Sequence, residues 1–232
     1  MARFLSRVGA FVTLQIGIAS FLGSPVAAGA TAFRDVAEVS AGVQATFERY
    51  EAAVRDQDGV GAVSCIAAPT LAYYQRVVDL AIDAEPEELR GLDVGIQIDV
   101  LKLRGRTSPE LIRRLDGERL IGLSVQQGWI SMNMPEGISL GTPILDGDRA
   151  AVPLFLNGAS VGASMEFRLE DGVWKINIAS NFDIVEMLHR DAATQAGMPI
   201  DVYARIQVEY ILRRQVPDSM YEPVGRGMAS AR

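Results

Sequence analysis

Residues 165–178, which read MEFRLEDGVWKINI, set the architecture expected for this chain. Apolar and polar residues alternate on both sides of Asp171-Gly172, as they do in strands that bury one face. Asp-Gly is also a preferred two-residue hairpin loop. The stretch therefore predicts a β-hairpin in which Leu169 faces Trp174, Phe167 faces Ile176 and Met165 faces Ile178.

Two more turn signals, Asp146-Gly147 and Asn157-Gly158, extend this hairpin into a four-stranded antiparallel meander over 137–180. A three-residue loop at 146–148 and a two-residue loop at 157–158 place the apolar side chains on one face, and a slip of one residue would expose them. The predicted pairs are Leu154 with Val161, Val152 with Ala163, Ile144 with Ala150, and Leu140 with Leu154.

The opposite face of the meander is small and polar, so we expect it to face water. Its predicted members are Ser139, Gly141, Ala151, Ser160, Ser164, Glu166, Arg168, Lys175 and Asn177. Pro153 lies within the second of the four strands and has no N–H for the ladder. We therefore predict a β-bulge opposite Gly162.

Helices are predicted before the sheet. An amphipathic helix over 34–56 follows from apolar residues that recur at intervals of three and four. These residues are Val36, Val39, Val43, Phe47, Tyr50 and Val54. Asp58-Gly59 ends this helix, and further helices are predicted over 62–67 and 70–84.

A short internal repeat follows, PEELRGLD at 86–93 and PELIRRLD at 109–116. Each copy predicts a short helix that begins with proline, and its final aspartate is expected to cap the next helix. Ser108 is expected to cap the second copy. Residues 94–103 alternate like a strand, but the repeat aligns them with the helical pattern at 118–127 and favours a helix. The helical part then covers 34–128, with a compact subregion at 86–128.

The chain is predicted to end with two helices, over 182–196 and 200–214, and a loose tail over 216–232.

The N-terminus has the anatomy of a secretory signal peptide. Arg3 and Arg7 precede an apolar run over 8–23, and the small residues over 24–32 offer several cleavage sites. The apolar run is shorter than the roughly 20 residues of a membrane span, so we favour removal of residues 1–30 over an anchor. The mature protein, a single α+β domain over 31–215, is then periplasmic or secreted, without a later transmembrane segment.

The mature chain is acidic. Its net charge changes from −7 to −9 when residues 1–30 are removed, because Arg3 and Arg7 are their only charged side chains. An acidic surface repels phosphate backbones, so nucleic-acid binding is not expected. Cys65 is the only cysteine, and its apolar neighbours predict a buried side chain without a disulfide.

The predicted order of elements is one long amphipathic helix, then smaller helices, then a curved meander. This order resembles that of the nuclear transport factor 2-like superfamily. The likeness is carried by the stripe over 36–54, by the Asp56-x-Asp58-Gly59 exit and by 165–178, and it covers 34–68 and 137–180. The helical insert at 86–128 departs from it. The resemblance implies an α+β cone, in which the N-terminal helix and a helical subregion pack on one face of the meander. Because ketosteroid isomerases and limonene epoxide hydrolase share this fold with non-enzymes, it implies no single activity.

No motif marks a catalytic or metal site. His189 is the only histidine, and nucleophile-elbow, P-loop and dinucleotide motifs are absent, so we expect no metal and no cofactor. An aspartate held in an apolar pocket could act as a base, because burial raises a carboxylate pKa. The candidates are Asp56, Asp58, Asp79, Asp83 and Asp99, for which capping or solvation is the simpler interpretation.

Aromatic residues are better suited to line a pocket than to react. The predicted ligand pocket lies between the first helix and the sheet, and a solid core is the alternative. Its residues are Phe47, Tyr50, Tyr74, Met165, Phe167 and Trp174.

Three functions stay open. The first is a non-catalytic envelope domain that binds a small apolar ligand or a protein partner, and the second is a cone-fold enzyme with Asp/Tyr acid–base chemistry. The third is a structural envelope subunit that forms a homodimer through its polar sheet face. We favour the first.

Overall fold

The structure, a computed structural model, describes residues 35–130 and 137–225. Helices and strands are both present, and the predicted α+β class is confirmed. The described residues form two compact units: a sheet unit of 35–68, 122–130 and 137–181, and a helical unit of 69–121 and 182–225. The predicted signal peptide lies outside the described residues.

The sheet unit begins with two helices and continues with a five-stranded antiparallel sheet. The helices are α1 (Val36–Arg55) and α2 (Gly59–Ser64), and the strands are β1 (Ile138–Leu140), β2 (Ile144–Asp146), β3 (Arg149–Leu156), β4 (Ala159–Glu170) and β5 (Val173–Asn177). β1 and β2 pair with different parts of one edge of β3, while β4 and then β5 follow on its other edge. The sheet curls into a half-barrel, so the curved meander is confirmed, with its first strand split in two.

The β4–β5 hairpin has the predicted register. Leu169 faces Trp174 and Phe167 faces Ile176. The Asp171-Gly172 loop has φ values of 51° and 80°, and the loop at 157–158 has 51° and 81°. Two successive residues with positive φ are typical of type I′ hairpins. Ile178 instead leaves the sheet in a 3₁₀ turn over 178–181, so its predicted pairing with Met165 is wrong.

The predicted bulge at Pro153 is confirmed, and it changes the register of the strands beyond it. Near the 157–158 loop, β3 and β4 pair as a two-residue loop requires. Past the bulge, Val152 faces Met165. The predicted pairing of Val152 with Ala163 is therefore wrong, because β4 contributes two more residues than β3 between the two stretches of ladder.

Gly162 lies among the extra residues of β4 and has a φ of 69°. Leu154, on the opposite strand, is buried and faces Leu140 as predicted. It does not pair with Val161, which is 37% exposed. The prediction that Val161 belongs to the buried face is wrong, because the bulge interrupts the inward and outward alternation of side chains.

The split between β1 and β2 has a local cause. The Gly141 N–H still donates to the Pro153 carbonyl at 2.7 Å, but residues 142–143 leave the ladder, and Pro143 has no N–H to continue it. The loop after β2 has two residues, not three, so Leu145 faces Ala150 and Ile144 faces Ala151. The predicted pair of Ile144 with Ala150 is wrong, and Ile144 is 62% exposed.

The core of the sheet unit lies between α1 and the apolar face of the sheet. The predicted stripe of α1 is buried except for Val36, and its buried members are Val39, Val43, Phe47, Tyr50 and Val54. The sheet contributes Ala150, Val152, Leu154, Phe167, Trp174 and Ile176. α1 packs on β5, as its amphipathic pattern requires.

The polar face of the sheet is less exposed than predicted. Asn177 is buried and donates a hydrogen bond of 2.6 Å to Oε1 of Glu166. Arg168 pairs with the same oxygen at 3.3 Å, and the two ionic side chains are 25% and 23% exposed. This face is therefore divided between a partly buried hydrogen-bonded network around Glu166 and exposed residues such as Ser139 and Ser160, which face water as predicted.

The remaining helices form most of the helical unit, except that residues 122–126 of the last helix before the sheet belong to the sheet unit. Those before the sheet are α3 (Ala68–Asp83), α4 (Pro86–Arg90), α5 (Val94–Arg106), α6 (Pro109–Ile112) and α7 (Gly117–Gln126), and those after it are α8 (Phe182–Gln195) and α9 (Ile200–Leu212). The helix favoured over 94–103 is confirmed as part of α5. The residues of α5 that face the core of this unit are almost fully buried.

The helix caps of the repeat follow the prediction in two of three places. Ser108 and Asp116 accept backbone N–H groups three residues further on, at 3.3 and 2.8 Å. Asp93 makes no side-chain cap bond, so that prediction is wrong. Its carboxylate lies 3.3 Å from a guanidinium nitrogen of Arg190 instead.

The predicted tail is not loose where the structure describes it. Residues 218–221 form a 3₁₀ turn, and Val216, Met220 and Tyr221 are buried in the core of the helical unit. Arg104 holds this segment by donating hydrogen bonds to backbone carbonyls of both residues 220–221 and residues 80–84. The prediction fails because these apolar side chains bury their surface despite the flanking prolines.

Among the helices in 35–130 and 137–225, none combines the length and the apolar character needed to cross a membrane.

Candidate functional site

The structure divides the predicted pocket residues between the two units. Phe47, Tyr50, Phe167 and Trp174 are at most 6% exposed and lie in the core of the sheet unit, and Met165 is half-buried on β4. Tyr74 belongs to the helical unit and packs against that unit's core.

Tyr50 is a core residue rather than a reagent. Burial, and to a lesser degree the nearby Cys65 thiol, raises the pKa of Tyr50 to about 12. Its phenol therefore stays protonated at neutral pH. Cys65 is itself 1% exposed, in agreement with its predicted burial.

An open groove of about 570 Å³ lies outside this core, along α1. Its residues are Gly42, Ala45, Thr46, Glu48, Arg49 and Ala52 of α1, and Gly172, Val173 and Trp174 of the β4–β5 turn and β5. Ligand sites usually have volumes of roughly 300–1,000 Å³, so this groove has the size of a small-molecule site.

Small residues of α1 bring the helix close to the sheet and leave the groove open. A Cβ atom on Gly42 would lie 2.7 Å from Cδ1 of Trp174, so any larger residue there would displace the indole ring or separate α1 from β5. Ala45 and Ala52 follow at helical spacing and fill little of the space opposite Val173, which is 42% exposed. The walls are therefore mainly apolar.

Two consecutive hydrogen bonds join α1 to β5 at the groove. The Thr46 hydroxyl donates to the backbone carbonyl of Trp174 at 2.7 Å, and Arg49 donates to the Thr46 oxygen at 3.0 Å. No carboxylate of the described residues forms an ion pair with Arg49. Glu48 also lines the groove, but it accepts a hydrogen bond of 2.7 Å from Gln44. Helical geometry places Glu48 farther than Arg49 from Thr46 around the helix.

The outer edge of β5 adds a backbone donor. Ile176 uses this edge to bond with the segment after α2: its N–H donates to Cys65 at 2.8 Å, and its carbonyl accepts from Ala67 at 2.9 Å. Residues two apart on an antiparallel strand direct their backbone groups to the same side. The N–H and carbonyl of Trp174 therefore also point away from β4, toward this outer edge. Its carbonyl is taken by Thr46, whereas its N–H has no acceptor among the described residues.

A second polar cluster lies in the helical unit. The Tyr73 hydroxyl donates to Oδ2 of Asp99 at 3.0 Å, and Lys102 Nζ lies 2.8 Å from Oδ1 of the same carboxylate. Burial and then the Asp99 charge raise the pKa of Tyr73 above its ordinary range. The Tyr73 ring packs on Phe182 with 4.1 Å between ring centroids. This is an aspartate–tyrosine pair, the arrangement that the enzyme hypothesis requires.

His189 lies close to this pair. Its Nδ1 is 3.3 Å from the Tyr203 hydroxyl. Burial lowers the pKa of His189, while the Asp99 charge opposes that effect and the Lys102 charge adds to it. The imidazole is therefore a neutral, partly buried hydrogen-bonding group.

The other candidate aspartates have the simpler roles. Asp58 caps α2 through the N–H of Gly61 at 3.0 Å. Asp56 forms an exposed ion pair with Arg55, and Asp79 accepts a hydrogen bond from Gln75. Asp83 is exposed. Of the five, only Asp99 is bonded to a tyrosine within the part of the chain that the structure describes.

The predicted pocket residues of α1 lie on its buried side, whereas the groove lies along another side of the helix, and Trp174 is the one predicted residue that also lines the groove. The groove residues Thr46 and Arg49 were not predicted. The available signal was a set of small residues off the apolar stripe of α1, namely Gly42, Ala45 and Ala52. In 35–130 and 137–225, no three His, Cys, Asp or Glu side chains are grouped so that they could hold a metal ion.

Comparisons with protein-family models, with curated proteins and with solved structures gave no match to this chain.

Proposed function

We propose that this protein is an exported, non-catalytic domain of the cell envelope that binds a small apolar ligand in the groove between α1 and β5. The observation that carries the proposal is the groove itself, which has the volume of a ligand site and largely apolar walls. The signal-peptide pattern of residues 1–30 supports export. We also propose that the chain is related to the nuclear transport factor 2-like superfamily, which its order of elements resembles.

The core of the sheet unit supports placing the ligand in the groove. The aromatic side chains predicted to line an inner pocket are themselves almost fully buried among core residues. Dense side-chain packing leaves little room for a ligand there. Val173 and the small residues of α1, in contrast, remain accessible from solvent.

The test is the binding of a neutral apolar fluorophore, N-phenyl-1-naphthylamine, to the purified protein. Ala45→Trp fills the groove and should abolish the fluorescence increase, while Ala37→Trp changes an exposed alanine of the same helix outside the groove. Equal binding by both variants, or no binding by the parent protein, would refute the proposal. Mass spectrometry of compounds released from protein purified out of its native envelope would then identify the natural ligand.

A cone-fold enzyme is the second candidate, favoured by the Tyr73–Asp99 hydrogen bond. Neither residue lies on the sheet, so the pair does not occupy the pocket that the cone resemblance implies. The compounds released from the native protein provide the test. Chemical conversion of one of them by the parent protein, and its loss in Tyr73→Phe, would establish catalysis.

A further inference from the structure

We infer that the groove recognises an apolar ligand that carries one carboxylate, and that Arg49 and the backbone N–H of Trp174 bind this carboxylate. The inference rests on the proposed function, because it assigns a ligand class to the same groove. Two independent observations support it: a cation without a counter-charge and a backbone donor without an acceptor, both among the residues that the structure describes.

Arg49 is the cation. Its guanidinium bonds to the Thr46 hydroxyl, which is a neutral acceptor and leaves the positive charge without a carboxylate partner in the described chain. A guanidinium has five N–H donors and favours planar anions such as carboxylates. Glu48, the other ionic residue of the groove, lies toward its outer rim and weakens the attraction for an anion without neutralising Arg49.

Trp174 supplies the second donor. Its carbonyl and Arg49 contact the same Thr46 oxygen, at 2.7 and 3.0 Å, so the Trp174 backbone and the guanidinium are neighbours. A backbone N–H is a strong hydrogen-bond donor, and that of Trp174 has no acceptor in the described chain. A ligand carboxylate between Arg49 and Trp174 provides that acceptor.

The same geometry argues against a peptide strand as the occupant. β-Strand addition requires a row of free backbone groups along a sheet edge. On the outer edge of β5, Ile176 is already bonded to Cys65 and Ala67, and the Trp174 carbonyl is bonded to Thr46. One free N–H suits a single anionic group rather than a strand.

The experiment compares decanoate with decanol as competitors for bound N-phenyl-1-naphthylamine. We expect decanoate to bind about tenfold more tightly than decanol, and Arg49→Met to remove this difference, measured as the ratio of the two affinities for the same variant. Arg55→Met, on the same helix but outside the groove, is the matched control and should keep the preference. Glu48→Gln should strengthen decanoate binding by about twofold to threefold.

An amide NMR titration tests the second donor. Decanoate should move the Trp174 amide proton downfield, and decanol should not. Equal affinities for the two compounds, or a preference that survives Arg49→Met, would overturn the carboxylate assignment while leaving the groove as an apolar site. Failure of the fluorophore itself to bind would instead overturn the proposed function.

Discussion

At the scale of single residues, the absence of a side chain is as informative as its presence. Gly59 begins α2, and a Cβ atom there would lie 2.4 Å from the backbone oxygen of Gly122 in α7. A Cβ on Gly122 itself would meet its nearest atom at 3.5 Å, an ordinary contact. At Gly59 the backbones of α2 and α7 are therefore too close to admit a methyl group, whereas at Gly122 a methyl group has room.

We predict that Gly59→Ala lowers the free energy of unfolding by at least about 2 kcal/mol, because backbone atoms must move to admit the methyl group. Gly122→Ala is the control, and it should be neutral or stabilising by up to about 1 kcal/mol, since alanine favours a helix interior. Urea denaturation of both variants measures the difference. Similar stabilities for the two would show that the helices do not approach this closely.

His189 gives a prediction about pH. Burial lowers its pKa below the ordinary value of 6.5, so just below pH 6.5 the unfolded chain binds a proton that the folded protein does not. This residue's contribution to stability is therefore complete above pH 6.5 and is lost as the pH falls toward the folded pKa. His189→Gln should flatten the acid side of the stability profile.

Two measurements check this prediction. Because the chain has a single histidine, proton NMR gives its pKa in the folded protein directly. Urea denaturation at a series of pH values gives the slope for the parent protein and the variant. A folded pKa at or above 6.5 would contradict the burial of the imidazole.

At the scale of elements, the bulge in β4 controls which side chains the sheet buries. Gly162 has a φ of 69°, and a Cβ atom added there would meet no described atom within 4 Å, so only its backbone conformation resists substitution. Gly162→Ala should cost about 1–2 kcal/mol. Gly162→Asn should cost less, because asparagine tolerates the left-handed region. Denaturant unfolding of the two variants tests this order, and the reverse order would place the strain elsewhere.

The groove likewise depends on how two elements, α1 and β5, pack against each other. The spacing of apolar residues on α1 was enough to predict the helix and its buried face, which the structure confirms. It was not enough to predict the groove, because the groove depends on how closely α1 approaches β5. That distance follows from the contact of Gly42 with Trp174, two residues far apart in sequence.

At the scale of the whole molecule, the C-terminal segment is part of the folded helical unit. The Arg104 guanidinium, whose pKa burial lowers to about 10, bonds to the carbonyls of Leu80, Ala81 and Ala84 and to residues 220–221. It thereby adds hydrogen bonds at the end of α3, where helical partners for carbonyls run out, although the Leu80 carbonyl also accepts the Ala84 N–H at 3.0 Å. The segment over 216–225 is joined to the unit by both this network and its apolar side chains.

A chain that ends at Gln215 should therefore lose several kcal/mol of stability, of which burial of Val216, Met220 and Tyr221 alone supplies about 1.5–3 kcal/mol for each side chain. Amide hydrogen exchange should accelerate in α3 and α5, the helices that Arg104 links to the segment. A chain that ends at Gly225 keeps all of these contacts and is the matched control, in which exchange in α3 and α5 should stay slow. Unchanged exchange in the shorter chain would contradict the packed segment.

Interactions between near neighbours in the sequence were sufficient to predict the long helices, the two-residue hairpin loops at 157–158 and 171–172, the short helices of the repeat and the bulge at Pro153. These features depend on periodicity, proline chemistry and turn residues, which act over a few positions. The register beyond the bulge, the burial of 216–225 and the position of the groove emerged only when the chain was folded. Each depends on contacts between segments that pack against each other only in the folded chain, and no short-range pattern encodes how closely those segments approach.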